Sequence, residues 1–372
     1  MAHELFDRRA MRFRPLGERR NRVFIERDKV LPGSPYDALP PESAKGILQA
    51  ASEIRRARDA RRPVILAFGA HAIKNGLSPL LIDLLDRGWV THLATNGAGI
   101  IHDWEFAYLG ESSENVRENI EVGQFGTWEE TCRYLNLAIA VGAYEGMGYG
   151  ESVGALVERD GLTMPSHAEL VDALARAESD PARAAAAADL LELQGRAAVE
   201  SGFHRVAHPH KQFGLQAHAF RRGVPYTAHP MFGHDIIYTH PLNCGAAIGR
   251  TAERDFLAFV HSVSGLEGGV YLSVGSAVMS PMIFEKAMSM ARNVAIQRGE
   301  AISDFGLYVV DLSAVRWDWS KGEPPESDPA YYVRFLKTFS RVGGRMTYIQ
   351  ADNRAFFLAL HEALGPPGAA SP

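Results

Sequence analysis

The alternation of short apolar runs with amphipathic segments after residue 60 constrains the fold of this chain more than any other feature. Residues 63 to 68 (PVILAF) form a continuous apolar run, which is typical of a strand buried on both faces of a parallel sheet. An amphipathic helix is expected over residues 76 to 87, followed by a second strand over residues 89 to 94. This order predicts a βαβ unit.

The same alternation continues to residue 364. Further strands are expected over residues 224–227, 235–238, 269–274, 307–311 and 346–349. Helices are expected over residues 43–58, 130–139, 181–200, 282–292, 330–341 and 354–364. We therefore predict an α/β fold, with a Rossmann-like, mostly parallel sheet and helices on both faces.

Composition shifts divide the chain into three expected parts. Residues 1–60 are expected to form an Arg-rich arm and a helix, residues 61–365 an α/β domain, and residues 366–372 a disordered tail. The arm would pack on a neighbouring subunit or on its own domain, or else remain a solvated tail. The glycines of residues 142–150 (GAYEGMGYG) suggest a mobile loop over a site.

Charge and cysteine content exclude several functional classes. The 372 residues carry a formal net charge of -5, which argues against a general nucleic-acid surface. Cys132 and Cys244 are the only cysteines, which is consistent with a reducing compartment. Neither a spanning apolar stretch nor a signal peptide is recognised, so we expect a cytoplasmic protein with no membrane partner.

The segment from Thr91 to Glu111 combines a glycine turn with titratable residues. An apolar run meets Asn96-Gly97-Ala98-Gly99, and His102, Asp103 and Glu105 follow directly. Strand-to-helix turns at the carboxyl ends of parallel strands are common ligand sites, and their N–H groups favour anions. The alternative is a plain tight turn with a helix cap.

Histidines are crowded into residues 204 to 240. A metal site is one interpretation, because imidazole is a frequent zinc ligand, but no H-E-x-x-H motif is present. Substrate-binding or locally hydrogen-bonded histidines are the other interpretation, and we expect no metal. The members of this group are His204, His208, His210, His218, His229, His234 and His240.

Several motifs together resemble deoxyhypusine synthase. They are residues 75–99 (NGLSPLLIDLLDRGWVTHLATNGAG), residues 108–111 (YLGE) and residues 117–119 (REN). A glycine-containing strand end at Gly275 and a final strand leading into residues 351–353 (ADN) extend the similarity. The resemblance implies a homotetramer with sites between subunits and NAD in each site.

In that family NAD oxidises spermidine, and an aminobutyl group passes through a lysine imine to another amine. The resemblance implies that the turn and two later strand ends bind NAD, through Asn96, Gly97, Ala98, Gly99, Ser276, Ala277, Asp352 and Asn353. Lys337 is the lysine nearest the position of the family's imine-forming lysine and is a possible nucleophile, and we expect His102 or His229 to act as the acid/base.

The chain departs from the family at the substrate positions. His102 stands where the family has a glutamate, Ser280 and Pro281 where it has a histidine, and RWDWSKGE where it has an acidic loop. A polyamine site needs carboxylates to meet ammonium groups, so we expect a changed small-molecule substrate. Its expected contacts are Asp103, His234, Asp235, Arg316 and Asp318.

Four functional hypotheses follow. The first is an NAD-dependent enzyme, a transferase or oxidoreductase, acting on an amine or related small molecule. The second is a true deoxyhypusine synthase acting on spermidine and a protein lysine. The third is a metal-dependent hydrolase using the histidines between His204 and His240, and the fourth is a scaffold that has lost the reaction.

Overall fold

The computed structural model describes residues 3–197 and 199–365, so the tail predicted for residues 366–372 lies outside the described residues. Ten strands were assigned within that part of the chain. They are β1 (Asn21–Phe24), β2 (Val64–Phe68), β3 (His92–Thr95), β4 (Glu111–Glu114), β5 (Gly161–Met164), β6 (Gly202–Arg205), β7 (Tyr226–Ala228), β8 (Val270–Val274), β9 (Gly306–Asp311) and β10 (Arg345–Gln350).

Helices separate most of these strands. The first eight are α1 (Ile25–Asp28), α2 (Pro41–Asp59), α3 (Ala70–Lys74), α4 (Ser78–Asp86), α5 (Gly97–Leu109), α6 (Val116–Glu121), α7 (Glu129–Glu145) and α8 (Tyr149–Glu158). The others are α9 (His167–Ala175), α10 (Pro181–Ala197), α11 (Leu215–Arg222), α12 (Gly245–Ser264), α13 (Met279–Gln297), α14 (Arg334–Val342) and α15 (Asn353–Leu364).

Six strands form the central sheet, in the spatial order β10-β9-β8-β2-β3-β7, and every pairing between them is parallel. Counted along the chain, this is the 3-2-1-4-5-6 order of dinucleotide-binding folds. All residues of β2, β3, β7 and β8 are buried, because helices cover both faces. The predicted α/β fold is confirmed.

The strand order reverses direction between β2 and β8. Strands β3 and β7 lie on one side of β2, whereas β8, β9 and β10 lie on the other. The connections that leave β2 and β8 therefore run to opposite sides of the sheet. A crevice at the carboxyl ends of these two strands is the expected ligand position in such a fold.

The N-terminal arm packs on its own chain. Strand β1 pairs with β4 in antiparallel register, and Leu16 is fully buried. The Arg8 guanidinium donates to the Tyr238 carbonyl at 2.9 Å, which ties the start of the arm to the turn after β7. Of the alternatives for the arm, packing on its own domain is the one observed.

Two local predictions were wrong. Residues 142–150 do not form a mobile loop, because α7 runs to Glu145 and α8 begins at Tyr149, so that only residues 146–148 lie between the two helices. Residues 235–238 do not form a strand; Ile236–Thr239 is a short 3-10 turn. The lack of a side chain at Gly142 allows α7 and α8 to pack closely, since a Cβ on Gly142 would lie 1.8 Å from Ser152 Oγ.

Within the described residues, no helix combines the length and the apolar character needed to cross a membrane.

Candidate functional site

Two glycines bring the ends of β2 and β8 together at the point where the strand order reverses. A Cβ on Gly69 would lie 2.1 Å from the Gly275 carbonyl oxygen, so no larger residue fits there. Gly275 itself has a φ of 59°, a left-handed conformation that favours glycine. The two strand ends thus approach each other at backbone contact.

Polar groups from β8 and β10 border this crevice. The Asn353 amide lies 2.8 to 2.9 Å from the position of a Cβ on Gly275, which places it against the β8 turn. Ser276 is buried and accepts from the Ser280 N–H at 3.1 Å, whereas Ala277 is exposed. Asp352 caps α15 by accepting from the Arg354 and Ala355 N–H groups. Of the expected cofactor contacts, Ser276, Ala277 and Asn353 surround one strand end.

The Asn96-to-Gly99 turn begins helix α5. The Asn96 side chain accepts from the Gly99 N–H at 3.0 Å, so it is the N-cap that the residue type favours. A Cβ on Gly97 would lie 2.1 Å from Asp235 Oδ2, so glycine is required for the approach of a carboxyl group to this helix end. A helix N-terminus attracts negative charge, and here Asp235 occupies part of that position.

One face of α5 borders a cavity of about 190 Å³, which we call the His102 cavity. Residues at helical spacing line this face, because positions three and four apart lie on the same side of a helix. They are Ala98, Ile101, His102 and Glu105. The remaining walls come from the arm, α3, the β4–α6 region and the turn after β7, namely Arg19, Lys74, Ser113, Glu114, Val116, Phe125, His234, Asp235 and Ile236.

A chain of hydrogen bonds orients His102. The His102 Nδ1 atom lies 2.7 Å from Ser112 Oγ, and Ser112 donates to Glu105 Oε2 at 2.5 Å. Glu105 in turn forms a bidentate pair with Arg19 at 2.7 and 2.8 Å, and both side chains are buried. The arm, α5 and β4 are thereby joined in one polar network.

This network determines which nitrogen of His102 is protonated. Burial alone would raise the pKa of Glu105, but the charge and hydrogen bonds of Arg19 hold that pKa below its ordinary value. An ionised Glu105 only accepts, so Ser112 donates to it and its oxygen accepts from His102 Nδ1–H. Nε2 of His102 then carries a lone pair.

Burial also keeps His102 neutral. Loss of hydration lowers the pKa of His102 to about 4, with the nearby charges of Lys74 and Arg19 acting in the same direction and Glu105 opposing them. At neutral pH the imidazole is therefore in its base form. A neutral, oriented imidazole at a cavity wall can accept a proton from a bound ligand.

Asp235 is a buried carboxyl group with an unsatisfied oxygen. Its Oδ2 atom is shielded from solvent and has no hydrogen-bond partner among the described residues. Burial raises the pKa of Asp235 to about 7. The folded protein therefore binds a proton at Asp235 that the unfolded chain, with an ordinary Asp pKa, has already released.

We expect Asp235→Asn to change the pH dependence of stability. Because the folded-state pKa is raised, the wild type loses the stability linked to this proton as pH rises from the unfolded toward the folded pKa. Relative to wild type, the variant should gain about 2 kcal/mol in free energy of unfolding between about pH 5 and about pH 7. Urea titrations at several pH values measure this difference.

The exposed Asp37 provides the control. Asp37→Asn should run parallel to wild type across the same pH range. If Asp235→Asn and Asp37→Asn show the same pH dependence, Asp235 does not hold a proton in the folded protein.

Two expected site residues lie outside the His102 cavity. Asp103 is fully buried on the other side of α5, where it accepts from the Leu215 and Gln216 N–H groups at 2.9 Å and caps α11. His229 Nε2 lies 3.0 Å from Thr227 Oγ1 inside the core, and burial lowers the pKa of His229 to about 3. Both side chains are held by structural contacts, so neither enters the proposed site.

Lys337 lies in a different part of the molecule. It lines a cavity of about 450 Å³ between α13 and α14, which shares no lining residue with the His102 cavity. Its Nζ atom stands 3.5 Å from the centre of the Tyr331 ring. Arg316 and Asp318 are exposed on the segment after β9, and neither lines the His102 cavity.

The histidines of residues 204–240 are spread over separate elements. His208 packs against the Trp104 and Tyr108 rings, and His240 packs against Phe13. Only His234 lines the His102 cavity. In residues 3–197 and 199–365, no group of three His, Cys, Asp or Glu side chains is arranged to hold a metal ion.

The sequence analysis missed several residues that build the cavity. Arg19 pairs with a residue 86 positions away, and no local pattern indicates such a contact. Lys74 lies shortly after β2. Because the carboxyl ends of parallel strands meet at one edge of the sheet, a position near a ligand site could have been predicted for it. The other residues that were missed are Ser112, Ser113 and Glu114, of which Ser113 has an unusual φ of 75°.

Neither a family model nor a curated protein matches the chain. Solved structures do show similarity. The ternary complex of AgrE with ornithine and NAD+ aligns with a TM-score of 0.44 and 14% identity over 89% of this chain and 34% of AgrE. ArgZ, an arginine dihydrolase from the ornithine–ammonia cycle in cyanobacteria, gives 0.40 and 14% over 86% and 32%.

A LOR/SDH protein from Methanococcus maripaludis S2 aligns with a TM-score of 0.43 and 12% identity, over 90% of this chain and 73% of that protein. The chain spans about a third of the length of AgrE and ArgZ. At these identities and TM-scores, the similarity supports no conclusion about activity. The fold assignment depends on the strand order of the chain itself.

Proposed function

We propose that this protein is an NAD-dependent enzyme that oxidises an amine or a related small molecule in the His102 cavity. The single observation that supports this most is the 3-2-1-4-5-6 strand order with glycines at the ends of β2 and β8. Dinucleotides bind across this position in folds of the same order. The motifs shared with deoxyhypusine synthase support the same cofactor.

The residues at the crevice fit a dinucleotide. Gly69 and Gly275 allow the ends of β2 and β8 to meet at backbone contact, at the point where the strand order reverses. Asn353 offers an amide for a ribose or base, and Ala277 precedes the N-terminus of α13. When bound, NAD would accept a hydride from the substrate, while the protein orients the reactants.

His102 is the proposed general base. Oxidation of an amine releases a proton as the hydride leaves, and the lone pair on Nε2 can accept it. Ser112 and Glu105 hold the ring through Nδ1, and the negative charge of Glu105 favours the imidazolium that forms. His234 and Asp235 complete the substrate side of the cavity.

The separate position of Lys337 favours oxidation over group transfer within one chain. An imine on Lys337 would lie in the cavity between α13 and α14, away from His102. True deoxyhypusine synthase activity therefore ranks second and would require a site between subunits. A homotetramer, which the family resemblance implies, and a cytoplasmic location remain part of this proposal; light scattering of the purified protein tests the former.

Ala277→Asp tests the cofactor site. Ala277 is exposed just before α13, so the new carboxylate should leave the fold intact while repelling the phosphates of NAD. Calorimetric titration should show NAD binding to wild type and an affinity about tenfold lower for the variant, equivalent to about 1.4 kcal/mol.

Ala182→Asp is the matched control, because Ala182 is likewise exposed and lies near the start of a helix, α10. It should bind NAD like wild type. Absence of NAD binding by wild type would overturn the proposed function. Equal affinities for Ala277→Asp and wild type would show that the cofactor does not bind at the β8 strand end.

A further inference from the structure

Five ionisable side chains line the His102 cavity. They are Arg19, Lys74, Glu105, Glu114 and Asp235. A charge that is fully buried in this cavity of about 190 Å³ needs a partner, since burying an unpaired charge is costly. Which of these charges are already satisfied decides what a ligand must supply.

Three of the five already have partners. Arg19 and Glu105 form the bidentate pair described above. Glu114 accepts from Asn119 Nδ2 at 2.5 Å, from Trp128 Nε1 at 3.0 Å and from the Gly126 N–H at 3.2 Å. These three side chains form the fixed wall of the cavity.

Lys74 and Asp235 are left. Lys74 forms no ion pair with any carboxylate of the described residues, although its charge is felt at His102. Asp235 keeps a buried oxygen without a partner, and it does not pair with Lys74. One cavity is thus lined by a cation without a carboxylate partner and by a carboxyl group with an unsatisfied oxygen, within the part of the chain that the structure describes.

We infer that the ligand of the His102 cavity is a zwitterion, with its carboxylate held by Lys74 and its ammonium group by Asp235. A small amino acid is the simplest molecule that carries both charges. This inference rests on the proposed function and narrows its substrate from amines in general to amino acids. Lys74 becomes the specificity-determining residue, since a simple diamine has no carboxylate to meet it.

Matched ligand pairs test this inference. Ornithine and putrescine, lysine and cadaverine, and alanine and ethylamine each differ by one carboxylate. Calorimetric titrations in the presence and absence of NAD should show that at least one amino acid binds at least tenfold more tightly than its amine. Binding of NAD alone is measured in parallel, so a failure of the cofactor proposal is seen separately.

Variants of Lys74 locate the effect. Lys74→Gln should lower the affinity for the preferred amino acid by about ten- to hundredfold and leave the affinity for the matched amine unchanged. Lys74→Arg, which keeps the charge, should retain most of the affinity. Lys45→Gln is the control, because Lys45 is exposed on α2.

Other outcomes would overturn the inference. Equal binding of every amino acid and its amine would remove the carboxylate requirement. An equal loss of both ligands in Lys74→Gln, with normal thermal unfolding, would show that Lys74 does not read the carboxylate. Failure of all six ligands to bind, with NAD binding intact, would also refute the zwitterion while leaving the cofactor proposal standing.

Discussion

Arg19→Ala is expected to lower the free energy of unfolding by about 3 to 5 kcal/mol. Arg19 and Glu105 form a bidentate ion pair with side chains that are 2% and 1% exposed. Removing the guanidinium leaves the Glu105 carboxylate buried without its counter-charge, and the hydroxyl groups of Ser112 and Thr131 remain as its donors. Urea-induced unfolding followed by circular dichroism measures the change.

Arg14→Ala is the matched control, because Arg14 belongs to the same arm and pairs with Glu18 at the surface. An exposed pair of this kind contributes about 0 to 1 kcal/mol. The double variant Arg19→Met/Glu105→Leu should recover much of the loss, since both charges disappear together. A loss in Arg19→Ala no larger than in Arg14→Ala would contradict the role of the arm in the core.

The Arg19 pair also predicts an acid sensitivity. The pKa of Glu105 is lower in the folded protein than in the unfolded chain, so its contribution to stability is present above the unfolded pKa and lost as pH falls toward the folded pKa. The free energy of unfolding should therefore fall as the pH is lowered and Glu105 takes up a proton. The double variant Arg19→Met/Glu105→Leu lacks this contribution, so only its other carboxylates can lower its stability as pH falls.

His102→Gln is expected to lower kcat by about 10²- to 10⁴-fold, which is the usual contribution of a general base. Glutamine fills similar space and its amide N–H can donate to Ser112, but it cannot take up a proton at neutral pH. NAD affinity should stay within about twofold of wild type, because His102 faces the substrate side. Formation of NADH with the preferred ligand of the His102 cavity is followed by absorbance.

The control for this prediction is His261→Gln, since His261 is exposed on α12. It should have wild-type kcat. Ser112→Ala should show an intermediate loss and a shifted pH profile of kcat/KM, because the ring loses its Nδ1 partner while Nε2 remains. Full activity of His102→Gln would assign the base to another residue.

Much of the fold was predictable because its signals are local. Continuous apolar runs such as residues 64–68 and 270–274 must be buried on both faces, and this alone favours a parallel sheet with helices around it. Asn96, Asp180 and Asp352 each cap the start of a helix, and a sequence can indicate such a cap because an N-cap interacts only with the next few residues. The glycine turn after β3 was found for the same reason.

The predictions that failed depended on packing between distant segments. The glycines of residues 142–150 resemble a flexible loop in sequence, yet they allow α7 and α8 to approach closely. Residues 235–238 have the composition of a strand, but their position beside α5 leaves no neighbouring strand to pair with. The composition of a segment does not indicate which distant segments will pack against it.

The sequence by itself determined the alternating elements, the glycine turn and the presence of His102, because each depends on residues close in the chain. Only the tertiary structure decided that Arg19 reaches Glu105, that Asp103 caps a helix, and that Lys337 lies apart from His102. These outcomes depend on which segments meet across long chain separations. A charged side chain becomes part of a binding site only when folding removes water from it and leaves it without a partner in the protein, so that a ligand can supply one.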